Sequence, residues 1–291
     1  MAPNNKISLI ECPRDAMQGW ENFIPTQKKI SYINALLKVG FDTIDFGSFV
    51  SPKAIPQMAD TREVVKGLKV DGVKTKLLAI VANVRGAEEA MVFDEISYLG
   101  FPFSVSPTFQ RRNTNSTMQE SLKMVEAIQN LCIKNQKQLV IYISMGFGNP
   151  YGDPYHEAIV MEWVDKMVKM DIGIISMADT VGLATPEQVS SILTNLIPSY
   201  AGTTIGVHLH STVANWKAKT DAALKAGCTR FDGALKGVGG CPMANDDLVG
   251  NMDTELMIPY FNELNLLNNL DMNALVECSR MAGELFAPGP F

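Results

Sequence analysis

The sequence has 291 residues, of which 46% are hydrophobic and 19% are charged. This composition is typical of a folded globular protein and argues against a disordered or fibrous chain. The formal net charge of −6 argues against a nucleic-acid partner, because such a partner requires a concentrated basic surface. No apolar stretch approaches the roughly 20 residues that cross a membrane, so we expect no membrane partner.

The cysteines and the amino terminus bear on the cellular compartment. The five cysteines are odd in number and scattered without paired spacing, which favours reduced thiols over a disulfide framework. Residues 1–6 contain no apolar signal core and lead almost directly into a strand-like run, so we expect a cytoplasmic protein. The cysteines are Cys12, Cys132, Cys228, Cys241 and Cys278.

Short apolar, β-branched runs alternate along the chain with longer segments of helical periodicity. Eight such runs predict strands, and their spacing of roughly 25–40 residues is the repeat length expected of βα units. The predicted strands cover residues 7–11, 43–46, 76–82, 95–99, 139–144, 172–177, 204–208 and 230–234.

The segments between these runs carry helix signals. Pro25 precedes a helix predicted over residues 26–39, and Gly40 follows it, which is the usual placement of these residues at helix ends. Helices are also predicted over residues 118–133, 187–196 and 273–285, the last being an extra C-terminal helical segment.

Alternating strands and helices predict a parallel sheet covered by helices. Eight repeats without a central reversal favour a closed (β/α)₈ TIM barrel over an open doubly wound sheet. The open sheet also lacks its phosphate-binding glycine fingerprint, because ECPRD follows the first strand at residues 11–15. With no interdomain linker, we expect a single TIM-barrel catalytic domain over residues 1–291. Glycine-rich and proline-rich loops at 146–153 and 237–242 are predicted at the C-terminal mouth, where barrels place their chemistry.

His208 and His210 form the most informative short motif, in a chain with three histidines. They follow an apolar strand, and residues two apart on a strand point to the same face, so both rings can reach one point. An isolated His-x-His pair also occurs as two structural or surface histidines. Asp15, at the end of the first strand, adds a carboxylate at a similar height, and two histidines with one carboxylate form a recognised metal-binding set. Asp15 could equally cap a helix, with Arg14 as its ion-pair partner.

Two predicted loops can each be interpreted either as functional or as having no role in function. Cys241, in the glycine-rich loop at 237–242, is either a free thiol of no consequence or an acid/base or redox-sensitive group that covers the site. The basic run QRRN at residues 110–113, predicted in a loop, is either a solvated turn or an anion contact for a phosphate-bearing ligand.

Five motifs occur in a characteristic order. They are ECPRD at 11–15, SFVSPK at 48–53, DTVG at 179–182, HLH at 208–210 and GVGGCP at 237–242. The set resembles the 3-hydroxy-3-methylglutaryl-CoA lyase family, within the metal-dependent lyase and Claisen-condensing barrel superfamily. The similarity runs from about residue 8 to about residue 255.

The resemblance implies a metal site and catalytic roles. Arg14 matches the arginine that stabilises the enolate oxygen of the departing thioester, and Cys241 matches a loop cysteine implicated in proton transfer. Asp45 matches an acidic residue beside the site that is usually glutamate. The implied ligands of a Mg²⁺ or Mn²⁺ ion are Asp15, His208, His210 and Asn251, with His208 also counted as catalytic. The implied substrate-binding residues are Arg14, Gln18, Thr180, Gly239 and Gly240.

The implied function is carbon–carbon lyase activity on an acyl-CoA substrate by metal-assisted retro-Claisen chemistry. The first expected substrate is 3-hydroxy-3-methylglutaryl-CoA, giving acetyl-CoA and acetoacetate. Two alternatives stay open: a related lyase or Claisen-condensing enzyme for another 2- or 3-hydroxy acid or its CoA ester, and a non-catalytic ligand-binding barrel. Barrel helices often pair protomers, so a homodimer is one assembly that the sequence allows.

The sequence departs from the family pattern at several positions. Ala16 replaces a glycine beside Asp15, and Pro107 replaces the acidic residue of a Ser-x-Ser-Glu segment. Ser211 and Val213 fall in a segment that usually reads Asp-Thr-Tyr-Gly. Residues 144–149 replace a cysteine-rich segment. We expect these departures to cluster around the acyl pocket rather than the metal.

Overall fold

A computed structural model describes residues 6–240 and 249–287. Within them, eight parallel strands close into one barrel in sequence order, and β8 pairs with β1 from Ser8–Arg230 to Glu11–Gly233. The closed barrel confirms the predicted TIM-barrel fold and excludes the open sheet. The strands are β1 (Ser8–Glu11), β2 (Thr43–Ser48), β3 (Lys76–Ile80), β4 (Ile96–Ser104), β5 (Gln138–Ser144), β6 (Ile174–Ala178), β7 (Thr204–His208) and β8 (Arg230–Gly233).

Every predicted strand overlaps an observed one, and the largest difference is at the end of β4. The prediction stops at residue 99 because Gly100 and Pro102 are strand-breaking residue types. In the barrel both remain in register with β5, where Gly100 lies opposite Val140 and Pro102 opposite Tyr142. The strand therefore extends to Ser104 at the mouth.

The helices surround the barrel as predicted. Helix α2 has the bounds expected from Pro25 and Gly40, and Gly40 adopts a left-handed conformation. The C-terminal helix α11 packs against α2. The helices are α1 (Pro13–Gln18), α2 (Thr26–Val39), α3 (Thr61–Lys66), α4 (Val84–Met91), α5 (Pro107–Thr114), α6 (Met118–Lys134), α7 (Glu157–Val168), α8 (Pro186–Ser199), α9 (Trp216–Lys225), α10 (Thr254–Glu263) and α11 (Met272–Leu285).

The basic run at residues 110–113 is helical, so the loop predicted there is wrong. It lies in α5, which Pro107 begins and which Ser106 caps by accepting a hydrogen bond from the backbone of Phe109. The physical reason is a good N-cap followed by proline at the first helical position, a start signal that the basic residues obscured.

Apolar side chains fill the layer between the strands and the surrounding helices, and a smaller group lies inside the barrel. The interior group includes Leu78, Val140 and Tyr142. Two charged residues of β8, Arg230 and Asp232, are also buried. Among the described residues, no helix is both long enough and apolar enough to span a membrane.

Candidate metal and substrate site

A cavity of about 760 Å³ opens at the C-terminal ends of the strands. A larger one, of about 1250 Å³, opens at the opposite end, and none of the predicted site residues is among those that line it in the described part of the chain. The predicted site residues that line a cavity therefore lie at the mouth, where barrel folds place their active sites. The predicted site residues that line the mouth cavity are Arg14, Asp15, Gln18, Thr180, His208 and His210.

Asp15, His208 and His210 come together at the centre of the site. One potential ligand atom from each lies within 4.8 Å of the other two, and His208 Nε2 is 4.0 Å from Asp15 Oδ2. The position expected for Asp15, at the end of the first strand, is wrong because Pro13 begins α1 and Asp15 lies in that helix. Only Cys12 separates α1 from β1, so the carboxylate still reaches the mouth.

Both histidines are oriented through their Nδ1 atoms. Asp232 Oδ2 lies 3.2 Å from His208 Nδ1, and the carbonyl oxygen of Val249 lies 2.8 Å from His210 Nδ1. A ring whose Nδ1–H donates to such an acceptor keeps a lone pair on Nε2 for a metal. Each imidazole thus keeps Nε2 clear of these two acceptors, and Nε2 of His208 lies towards Asp15.

The protonation of these three groups differs because their surroundings differ. Burial and the neighbouring His208 lower the pKa of His210 to about 4. Burial also acts to lower the pKa of His208, but the hydrogen bond to Asp232 and the charge of Asp15 outweigh it and raise that pKa. Burial acts to raise the pKa of Asp15, yet Arg14 and the two histidines hold it below its usual value. Asp15 is therefore an anion and His210 is neutral at pH 7, as metal ligands must be.

Asn251 completes the cluster from a distant part of the chain. Residues 250–252 run beside the end of β7, where Asn251 forms a bridge with His210. Its Nδ2 donates to Asp15 Oδ2 at 2.8 Å and to the carbonyl of Val238 at 2.9 Å. Its Oδ1 is buried and has no partner among the described residues. An unpartnered amide oxygen beside a carboxylate and two imidazoles fits a hard divalent cation such as Mg²⁺ or Mn²⁺.

Gly239 lets the glycine-rich loop approach this cluster. Its φ is +127°, and a Cβ there would lie 2.1 Å from Asn251 Nδ2 and 3.1 Å from Asp15 Oδ2. No side chain larger than hydrogen fits, so glycine is required for both conformation and space. Gly240 also has positive φ, at 134°. Cys241, the predicted proton-transfer residue, lies outside the described residues.

Arg14 is held by a dense set of acceptors. Its Nε and Nη2 donate to the carboxylate of Asp45, while Nη1 donates to Asp15 at 3.0 Å and to Gln18 at 2.8 Å. A guanidinium has five N–H donors, and these partners accept hydrogen bonds from four of them, so one Nη2–H remains available. Burial acts to raise the pKa of Asp45, and Arg14 opposes that shift. Asp45 and Gln18 therefore fix the guanidinium at the cavity wall.

The DTVG motif at residues 179–182 mainly holds neighbouring segments of the site in place. The hydroxyl of Thr180 lines the cavity and accepts a hydrogen bond from the backbone of Met145 at 2.8 Å. Asp179 accepts from the buried Lys219 at 2.8 Å, and the same ammonium donates to the carbonyl of His210 at 2.7 Å. This contact ties the end of β6 to the end of β7.

The four named departures from the family pattern are absent from the described wall of the mouth cavity. Ala16, Pro107, Ser211 and Val213 are not among the described residues that line it, and Val213 is 83% exposed. Ser144, from the segment at 144–149, does line it. Of the positions that depart from the family pattern, Ser144 is therefore the one found in the described wall of the cavity.

Sequence reasoning missed Asp232, the partner of His208. A signal existed, because Arg230 and Asp232 are charged residues inside an otherwise buried strand run. Cys12, His208 and Asp232 also form a second group with potential ligand atoms within 4.8 Å of one another. Arg230 lies 3.7 Å from Asp232, and its positive charge argues against a cation in this deeper group.

The sequence matches a family model described as HMGL-like over residues 7–282. The chain belongs to the HMGL-like family. Family membership thus covers almost the whole barrel, including every element that carries the mouth cluster. It confirms the resemblance inferred from the five motifs.

Relatives and solved structures agree with this membership. The mitochondrial hydroxymethylglutaryl-CoA lyase of Mus musculus is 33% identical over 276 residues, which are 94% of this chain and 83% of that protein. Hydroxymethylglutaryl-CoA lyase YngG of Bacillus subtilis (strain 168) is 32% identical over 280 residues, covering 96% and 93%. An HMG-CoA lyase from Acenitobacter baumannii, solved with coenzyme A and 3-methylmalate, gives a TM-score of 0.90 at 31% identity and covers 98% and 92% of the two chains. This HMGL-like chain is therefore similar to lyases in both sequence and fold.

Proposed function

We propose that this HMGL-like protein cleaves a 3-hydroxyacyl-CoA, with 3-hydroxy-3-methylglutaryl-CoA as the first candidate, to acetyl-CoA and acetoacetate. The observation that carries the proposal is the convergence of Asp15, His208 and His210 within 4.8 Å beside the buried guanidinium of Arg14. The reaction requires that negative charge be stabilised on two oxygens of one substrate, that of the tertiary hydroxyl and that of the thioester. This cluster and Arg14 are adjacent groups suited to those two oxygens.

The proposed metal ligands are Asp15, His208, His210 and Asn251. A bound Mg²⁺ or Mn²⁺ would lower the pKa of the substrate hydroxyl and neutralise developing negative charge. Two features of the site support such an ion. The Nδ1 atoms of both histidines are held in hydrogen bonds, and Asn251 Oδ1 has no partner among the described residues. The choice of a hard cation over zinc follows from two oxygen donors and no thiolate in this set.

Charge at the mouth supports the same proposal. Asp15 is a buried carboxylate whose pKa is held below its usual value by Arg14 and the two histidines, so it is an anion. Such an anion attracts a divalent cation, and buried charges interact strongly because water screens them little. The ion in turn would reverse the sign of the site, which suits a substrate that carries a carboxylate.

Arg14 is proposed to stabilise the enolate. In the cleavage, the tertiary hydroxyl gives its proton to a base and its oxygen becomes the ketone carbonyl of acetoacetate as the bond between C2 and C3 breaks. The electron pair of that bond forms the acetyl-CoA enolate, with its charge on the thioester oxygen, and C2 of the enolate then takes a proton. The remaining Nη2–H of Arg14 can donate to that oxygen, and its other donors are already held by Asp45, Asp15 and Gln18. A donor fixed before the reaction stabilises new charge without reorganisation. The family resemblance assigns the final proton transfer to Cys241.

Arg111 and Arg112 are proposed to bind the phosphates of the CoA substrate. Both side chains line the mouth cavity from α5 and are exposed to solvent. The Arg112 guanidinium lies 4.5 Å from the centre of the Tyr151 ring, which limits its freedom. Guanidinium groups pair with phosphate through parallel hydrogen bonds, so these positions suit the anionic part of an acyl-CoA.

An acetoacetate-release assay tests the function. Wild-type protein with added Mg²⁺ or Mn²⁺ is compared with Arg14→Ala, His208→Ala and the control Gln129→Leu, a change at the opposite cavity. We expect activity in the wild type and control and its loss in the other two. Robust activity that survives both changes would overturn the assigned roles. Turnover only with a 2-oxo acid acceptor would instead favour a condensing enzyme, and metal binding without any turnover would favour a ligand-binding barrel.

A further inference from the structure

Two opposite charges lie inside the barrel beneath the proposed metal site. Arg230 and Asp232 are alternate residues of β8, so both side chains point to the same face of the strand. Arg230 is 5% exposed and Asp232 is 2% exposed. Burying such a pair costs free energy that apolar residues of similar volume would not cost, so the pair calls for an explanation beyond stability.

The barrel interior makes room for this pair and for the aromatic ring beside it. A Cβ at Gly206 on β7 would lie 2.9 Å from three side-chain carbons of Arg230. A Cβ at Gly100 on β4 would lie 3.1 Å from the Tyr142 ring. Two inward-facing glycines thus leave the space in which Arg230 and Tyr142 lie.

The pair is connected to the metal cluster through His208. Arg230 Nη1 lies 3.7 Å from Asp232 Oδ1, and Asp232 Oδ2 lies 3.2 Å from His208 Nδ1. The Tyr142 ring meets the His208 ring edge-on, with ring centres 5.8 Å apart. His208 Nε2 faces the opposite way, 4.0 Å from Asp15 Oδ2. One ring nitrogen therefore faces the interior pair and the other faces the mouth.

We propose that Asp232, whose other oxygen faces the Arg230 charge at 3.7 Å, is a positioning residue that fixes His208 in the tautomer with hydrogen on Nδ1 and a lone pair on Nε2. A carboxylate with an arginine on its other oxygen accepts a hydrogen bond but does not offer one, so it selects the Nδ1–H form. The proposal rests on the proposed function in that the lone pair on Nε2 is meant for the cation. It adds Asp232 and Arg230 to the residues on which that site depends.

The histidines of this chain supply their own controls. His210 Nδ1 faces the carbonyl of Val249, a backbone acceptor that no substitution at Asp232 removes. His156 is exposed at the start of α7 and reports a ring in solvent. With only three histidines in the sequence, selective ¹⁵N labelling gives three ring systems to assign. The protonated nitrogen of each ring can then be read from its nitrogen shifts.

The experiment compares wild type, Asp232→Ala, Asp232→Asn and the control Ser176→Ala, which changes a buried residue of β6, the strand next to β7. Ring tautomers are measured without metal, above the pH at which the rings titrate, and Mn²⁺ affinity is measured by calorimetry. We expect Nδ1–H at His208 in wild type and control. In Asp232→Ala we expect loss of that form and a 10- to 100-fold weaker Mn²⁺ affinity, the range typical when a partner of a ligating histidine is removed. Asp232→Asn, which keeps an acceptor oxygen, should recover part of both.

An unchanged His208 tautomer in Asp232→Ala would overturn the proposal, and so would a Mn²⁺ affinity within about twofold of wild type. Unchanged His210 and His156 signals establish that the variants fold. If Asp232→Ala does not fold, the same two measurements on Asp232→Asn test the proposal. Neither readout uses a thioester, so failure of the lyase assay and failure of this proposal are separate results. Wild type that binds no Mn²⁺ would count against the proposed function, while the tautomer result would still decide the role of Asp232.

Discussion

Arg14 and Asp45 form a two-point ion pair at the barrel mouth, with Nε and Nη2 lying 3.0 and 2.5 Å from the same carboxylate oxygen. A lysine cannot reproduce this geometry because its ammonium is a single point charge without a planar fork. We predict that Arg14→Lys lowers kcat on the order of 100- to 1,000-fold, as expected for loss of an oxyanion donor, with Mn²⁺ affinity within a few-fold of wild type. Steady-state kinetics and calorimetry check the two parts.

Asp45→Glu is the matched variant for this pair, since glutamate is the residue that the family resemblance leads one to expect at this position. It keeps the charge and adds one methylene. We expect it to retain most of the wild-type kcat. An Arg14→Lys enzyme as fast as wild type would contradict the assigned role of the guanidinium.

Gly239→Ala should weaken metal binding without touching a ligand directly. The added Cβ would lie 2.1 Å from Asn251 Nδ2, so Asn251 must move away from Asp15. We predict a Mn²⁺ affinity at least roughly tenfold weaker, by analogy with the loss of other groups that support metal ligands. Gly72→Ala is the matched control, because Gly72 also has positive φ, at +74°, but a Cβ there meets nothing within 4 Å. Equal Mn²⁺ affinity in the two variants would show that crowding at Asn251 is irrelevant.

The double change Arg111→Ala and Arg112→Ala should raise KM for an acyl-CoA substrate by about tenfold and leave kcat unchanged. The reason is loss of charged hydrogen bonds to phosphate, a group remote from the bond that breaks. The decisive control is the same acyl group on pantetheine, which lacks the nucleotide and its phosphates. With that substrate the double variant should match wild type. A similar rise in KM for both thioesters would mean that the arginines support the fold of α5 rather than bind phosphate.

Glu11 should make stability depend on pH. It is fully buried, and burial raises its pKa from the usual 4.5 to about 8, although Thr254 and the backbone of Leu235 donate hydrogen bonds to it. Because the folded pKa exceeds the unfolded one, its stabilising contribution is complete below pH 4.5 and is lost as pH rises to about 8. The free energy of unfolding, relative to Glu11→Gln, should fall by up to about 1.4 kcal/mol per pH unit in this range. Urea titrations across that range check it, and a difference independent of pH would contradict the assignment.

The sequence predicts the barrel well because its signals are local. Pro25 and Gly40 define the ends of α2, and the apolar runs define the eight strands. The end of β4 was missed because Gly100 and Pro102 are tolerated where a neighbouring strand pairs with them. Local propensity does not report such tertiary support.

The site was predicted unevenly for a related reason. His208 ends β7 and His210 follows two residues later, and this spacing is enough to predict from the sequence that the two rings lie together. The bridge between His210 and Asn251 joins residues far apart in the chain, so only the family resemblance indicated Asn251. Asp232 was missed because its importance depends on which residue of β7 lies beside it in the closed barrel.

Anomalous diffraction from crystals grown with Mn²⁺ and a substrate-like hydroxy acid tests the central claim most directly. The predicted result is one Mn²⁺ peak at the barrel mouth, roughly 2.0–2.4 Å from an Asp15 oxygen, Nε2 of both His208 and His210, and Asn251 Oδ1, with the acid completing its coordination. A peak at the deeper Cys12, His208 and Asp232 group, or no peak at the mouth, would contradict it.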